Sequence, residues 1–125
     1  MGLFSKRKPE SDPVDPEARS PQLGLTYKDL MLLGQLSAAG AKLGEPRHVI
    51  YRLYFPGAEA AALARPGAEA AGFTVELSES DEQCALVAER HGAVLSPDFV
   101  RSSDDLFQRL ADAHGGEFDG WEASV

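Results

Sequence analysis

A single cysteine, Cys84, stands among the 125 residues, so no intramolecular disulfide can form and a reducing compartment is expected. Histidine is almost as scarce: His48, His91 and His114 are far apart in the chain, none at metal-ligand spacing to another, and no metal site is expected. The 12 glycines nowhere form the dinucleotide-binding or phosphate-cradling spacing after a strand, so no nucleotide cofactor is expected either. No apolar run is long enough to span a bilayer. The first residues place Leu3 and Phe4 ahead of the basic cluster Lys6-Arg7-Lys8, the reverse of a secretory signal, and Lys6 occupies the place where a myristoylation pattern needs Ser or Thr. The expected setting is cytoplasmic, with no membrane contact.

Positive charge is also in short supply. Lysine and arginine total 12 against 20 aspartates and glutamates, a formal net charge of −8. The first 25 residues are balanced, whereas the rest of the chain sets eight basic residues against sixteen acidic ones. Such a surface repels a phosphate backbone, which argues against direct nucleic-acid binding, and it suits a protein partner with a basic region. The same charge also serves plain solubility. An apolar fraction of 43% and a charged fraction of 26% are those of a globular protein, and the length suits one domain with one core.

The Pro-, Ser- and charge-rich stretch from residue 1 to residue 25 lacks the apolar side chains needed to offset the entropy of ordering, and reads as a disordered tail ahead of a domain over residues 26–125. Thr26, with Asp29 three places on, can cap a helix whose apolar residues Leu32, Leu36, Ala39 and Leu43 recur at three-to-four spacing. His48 to Phe55 alternates Val49, Tyr51, Leu53 and Phe55 onto one face of a strand. Ala58 to Ala71 predicts a second helix, kinked or split at Pro66-Gly67. Phe73, Val75 and Leu77 mark a second strand, Gln83 to Glu89 a third, and the short turn between them a hairpin. Ser96-Pro97 opens a third helix through Leu106, Leu110 and Ala113, with Ser102 to Asp105 as a possible restart point, and Glu117 to Val125 closes as a last strand. The order is that of an α+β, ferredoxin-like split β-α-β fold: a four-stranded antiparallel sheet, two helices on one face, and an extra N-terminal helix.

The densest chemistry lies in Gly115-Gly116-Glu117-Phe118-Asp119-Gly120-Trp121-Glu122. In a regular strand Glu117 and Asp119 share a face, as an acid/base pair requires, yet no pocket-lining motif accompanies them. Two readings remain open. In one, Gly120 permits a bulge, Phe118 or Trp121 plugs the core and the acids are merely solvated. In the other, Glu117, Phe118, Asp119, Trp121 and Glu122 form a partner-binding surface. Cys84 on an apolar strand reads as an inert core residue, and His114 as a C-terminal cap of its helix. No catalytic residue and no cofactor are expected.

This segment, together with Leu53-Tyr54-Phe55-Pro56 and Gly72-Phe73-Thr74-Val75, resembles the bacterial family called ribonuclease E inhibitor B, or regulator of ribonuclease activity B, whose members tend to end in Gly-Gly-Glu-Tyr-Asp-Gly-Trp. The resemblance covers residues 26 to 125. It implies a ferredoxin-like fold, no catalysis, and binding to ribonuclease E or a similar RNA-processing enzyme so that RNA turnover is inhibited. The chain departs from the pattern in its Ala-rich second helix, interrupted by Pro66, and in its mixed-charge tail. Two other classes stay in view: a small-molecule-binding or enzymatic domain with Tyr51, His91 or Asp119 lining a cleft, and an immunity-type protein that neutralises a toxin.

Overall fold

The computed structural model describes residues 15–21 and 23–125. Three helices and four strands follow one another as α1 (Tyr27–Ala38), β1 (Arg47–Phe55), α2 (Ala58–Ala70), β2 (Thr74–Glu79), β3 (Cys84–Ala93), α3 (Pro97–Ala113) and β4 (Glu117–Ala123). The strands form one antiparallel sheet in the order β2-β3-β1-β4. The long strand β1 lies in the interior because its alternation is strict: Val49, Tyr51, Leu53 and Phe55 point into the core while the residues between them are half-buried on the other side. Both crossovers, β1-α2-β2 and β3-α3-β4, skip one strand position, which is the split β-α-β arrangement expected from the element order.

Local chemistry sets the helix starts. The Thr26 hydroxyl accepts from the Asp29 backbone N–H at 3.1 Å, and the Ser96 hydroxyl accepts from Phe99 N–H at 3.1 Å, each satisfying a donor that has no partner within its helix. Neither the split of α2 nor the restart of α3 that the sequence offered occurs. α2 runs as one element through Pro66, with Ala61, Ala64 and Ala68 buried and Gly67 letting Leu110 of α3 approach closely. α3 runs unbroken through Ser102 to Asp105, because Ser103 and Asp104 are turned inward rather than competing for backbone as solvated residues do.

The tail expected over residues 1–25 falls largely outside the described residues, but its end is packed. Leu25 is fully buried in the core, Arg19 pairs with Thr26 as an antiparallel bridge, and Arg101 of α3 donates to the Leu23 carbonyl at 2.8 Å. Packing therefore starts before residue 26, since Leu25 supplies apolar area, on the order of 1.5–3 kcal/mol for a side chain of this size, that the composition of its neighbours hides.

The core is dominated by rings. Tyr51 stacks on Phe107 at 4.7 Å between centroids, meets Phe73 edge-on at 5.6 Å, and is flanked by Phe118 and Trp121 at 6.1 and 6.0 Å. Of the two glycines before β4, Gly115 takes a left-handed φ of +70° and Gly116 is required by contact. A Cβ on Gly116 would lie 2.6 Å from the Tyr54 carbonyl oxygen and against the Phe55 ring. Gly116→Ala is expected to destabilise the fold by about 1–3 kcal/mol, the range for overpacking against atoms that cannot move aside, as measured by urea denaturation; an unchanged midpoint would refute this account of the close approach.

Candidate functional site

β4 does not alternate regularly. Its pairing with β1 shifts between Arg52, opposite Gly120, and Leu53, opposite Phe118, leaving Asp119 as an extra residue. Gly120 adopts φ +121°, a left-handed conformation open to glycine and strained for other residues. The bulge places Phe118 and Trp121, three apart in sequence, on the same core-facing side. A regular strand would have sent one of them to solvent.

Trp121, 8% exposed, brings its indole N–H into the interior and donates to Asp29 Oδ1 at 2.8 Å. Asp29 is 2% exposed and sits in the first turn of α1, so this bond ties the extra helix to the sheet. Beside it lies Asp104 of α3, 6% exposed. Burial pushes the Asp104 carboxyl up to about 9, and its hydrogen bond to Asp29 together with the repulsion of that neighbouring carboxylate pushes in the same direction; Arg19 and Lys28 pull only weakly the other way. Asp104 therefore keeps its proton at neutral pH. Asp29 Oδ2, Asp104 Oδ1 and the Tyr51 hydroxyl are buried beside one another without a conventional partner among the described residues, and the proton held by Asp104 is the donor available to Asp29. Tyr51 completes the cluster: burial raises its phenol, Ser103 moderates the shift and the two carboxyls add to it.

A cleft of about 220 Å³ opens over this cluster, lined by Arg19, Lys28, Asp29, Asp104, Gln108 and Trp121 among others. Its cations are already engaged, Arg19 with Asp105 at 2.8 Å and Lys28 with Glu17 at 3.2 Å. Alongside, between α1 and the β4 bulge, runs a more open groove of about 400 Å³ with Met31, Leu32 and Trp121 as its apolar surface and Asp119 on its margin. Met31 is 65% exposed and lines this groove together with half-buried Leu32.

The five β4 residues singled out from the sequence are divided by the bulge. Phe118 and Trp121 belong to the core side, whereas Glu117, Asp119 and Glu122 are exposed. Glu122 reaches Arg52 at 2.8 Å on the sheet face that α2 and α3 leave open. Glu117 and Asp119 have no ion pair among the described residues. Tyr51, His91 and Asp119, considered as one cleft, are not brought together: Tyr51 is fully buried, while His91 is exposed near the far end of β3. Cys84 is buried and free, and His114 is the C-cap residue of α3. Sequence reasoning missed Asp29, Ser103 and Asp104 as a buried group. The one signal for it was the position of Ser103 and Asp104 in the middle of α3, where solvated polar residues of this kind weaken a helix, whereas Asp29 in the first turn of α1 looks like an ordinary helix-start acid.

The raised Asp104 value makes the native state hold a proton that the unfolded chain releases, so this contribution to stability is complete below about pH 4 and is lost as pH rises toward about 9. Asp104→Asn, which keeps a donor toward Asp29, is expected to lose this dependence, so that thermal midpoints of variant and parent diverge in the variant's favour between pH 5 and pH 9. A constant difference across that range would show that Asp104 does not carry the proton. Trp121→Phe removes the donor to Asp29 and is expected to cost about 1–3 kcal/mol, the penalty of a buried acceptor left without its partner; a double-mutant cycle with Asp29→Ala, which removes the acceptor, measures the coupling.

No curated protein matches the chain. Residues 29–123 match the family model described as regulator of ribonuclease activity B, and the match takes in α1 from Asp29, all four strands and both packed helices. With most of its length covered by that match, the chain belongs to the regulator of ribonuclease activity B family.

Proposed function

We propose that the protein is a non-catalytic regulator that binds an endoribonuclease of the ribonuclease E type and restrains it by covering a basic, RNA-handling segment. The observation that carries this reading is the groove beside the β4 bulge, where exposed Met31, Leu32 and Trp121 adjoin the exposed carboxylate of Asp119 and the one lining cation among the described residues, Lys28, is already paired with Glu17; Glu117, opposite Tyr54, adds a second exposed carboxylate on the neighbouring open face of the sheet. An apolar strip whose marginal carboxylate is unpaired among the described residues suits a basic segment that carries an apolar anchor. Family membership supports regulation of a ribonuclease, and the net charge of −8 favours a cationic protein surface over RNA itself.

A second reading rests on the Asp29–Asp104 pair, since two carboxyls sharing a proton under a cleft are also the arrangement of acid/base catalysts. Against it, Asp29 is committed to Trp121 and Asp104 to Asp29, and both carboxyls are buried rather than open to a substrate. A toxin-neutralising role uses the same acidic surface with a different partner, and the identity of the captured protein separates it from the first.

The expected result is saturable binding of the full chain to purified endoribonuclease, followed by calorimetry, and slower cleavage of a model RNA. Affinity should fall steeply between low and high salt as the charges are screened. Replacing both exposed acids, Glu117→Lys with Asp119→Lys, should weaken binding by about tenfold or more while leaving the thermal midpoint near that of the parent. Absence of binding at low salt, or equal affinity of the doubly substituted chain, would remove the proposal.

A further inference from the structure

The histidines that the sequence keeps apart meet in the sheet. β1 and β3 pair through Ile50 and Glu89, and their register shifts between Arg47, opposite Ala93, and Val49, opposite Arg90, so that His48 on β1 faces two residues, His91 and Gly92, on β3. Because Val49 and Arg90 point to the helix side, His48, Glu89 and His91 all point to the open face. There the two imidazoles stack with centroids 4.2 Å apart and planes within 8° of parallel, and His48 Nε2 lies 2.7 Å from Glu89 Oε1. One donor atom from each of the three side chains falls within 4.8 Å of the other two.

We propose that His48, Glu89 and His91 form a binding site for a first-row divalent transition-metal ion, with zinc as the simplest case. Two imidazole nitrogens and one carboxylate oxygen are the donor set that such ions take, and harder ions such as magnesium avoid imidazole. Bonds of about 2.0–2.2 Å require the donor atoms to stand roughly 3–3.5 Å apart. His48 and Glu89, at 2.7 Å, have to part by less than about 1 Å, and His91 has to swing inward. It is exposed, so the rotation gives up only its stack on His48. The strands hold the other two: Ile50 and Glu89 are directly paired, and the Glu89 carbonyl also accepts from the Thr74 hydroxyl at 3.4 Å. The half-exposed position of His48 and Glu89 leaves the remaining coordination sites of the ion to water. The site lies on the open sheet face, apart from the groove proposed to receive the ribonuclease, and does not depend on that reading.

Titration of the full chain with zinc chloride by isothermal calorimetry, in a buffer that does not chelate, is expected to show one saturable site in the micromolar range and a higher thermal midpoint, with magnesium chloride giving neither. His91→Ala should weaken zinc binding at least tenfold, and His48→Asn should do the same. His114→Ala should leave the affinity unchanged, since that residue caps α3. As His91 is exposed, its substitution tests the site without challenging the fold, which the circular dichroism spectrum of the variant verifies. Cobalt(II) in place of zinc should shift the imidazole proton resonances of His48 and His91 and spare those of His114. Failure of the parent chain to saturate below millimolar zinc, or retention of full affinity by His91→Ala, would overturn the assignment.

Discussion

An indole N–H that enters a protein core has to find an acceptor there, and in this protein the acceptor is the carboxylate of Asp29. Much follows from that one bond. Trp121 reaches the interior only because the bulge at Asp119 and Gly120 turns it to the side of Phe118 and Tyr51. Asp29 is available only because Thr26 starts α1 at the right residue. A helix outside the split β-α-β unit is thereby fixed to the last strand of the sheet. A buried carboxylate needs further compensation, and Asp104 supplies it by retaining its own proton.

The cluster explains features that look unfavourable one at a time. Ser103 and Asp104 are poor helix formers in the middle of α3, and Tyr51 is a phenol at the centre of the sheet. Together with Asp29 they form a polar seam among rings, so that α1, α3, β1 and β4 have to settle in one relative arrangement to satisfy it. Polar seams of this kind constrain register more than they add stability. The groove between α1 and the bulge exists because that arrangement is fixed, and the reading of the protein as a ribonuclease regulator rests on that groove and on family membership.

Charge is distributed with the same economy of contacts. Arg19, Lys28, Arg52, Arg65 and Arg101 are each engaged with a carboxylate on the surface. Such exposed pairs add little stability individually. Their effect is to leave the excess acids, Glu117 and Asp119 among them, without cations of their own among the described residues, so the negative surface is available to a partner.

Alternation and capping signals by themselves determined the element order, the inward face of β1, the start of α1 at Thr26 and of α3 at Ser96, because these depend on residues within a few positions of one another. The Gly-Gly-Glu-Phe-Asp-Gly-Trp run likewise pointed to the family without any knowledge of packing. Only the tertiary structure decided what depends on contacts between distant segments: the continuity of α2 through Pro66, the burial of Leu25, the meeting of Asp29 with Trp121 and Asp104, and the pairing of His48 with His91. Those residues lie tens of positions apart, and no local pattern records which strand faces which helix or where a bulge reverses the alternation.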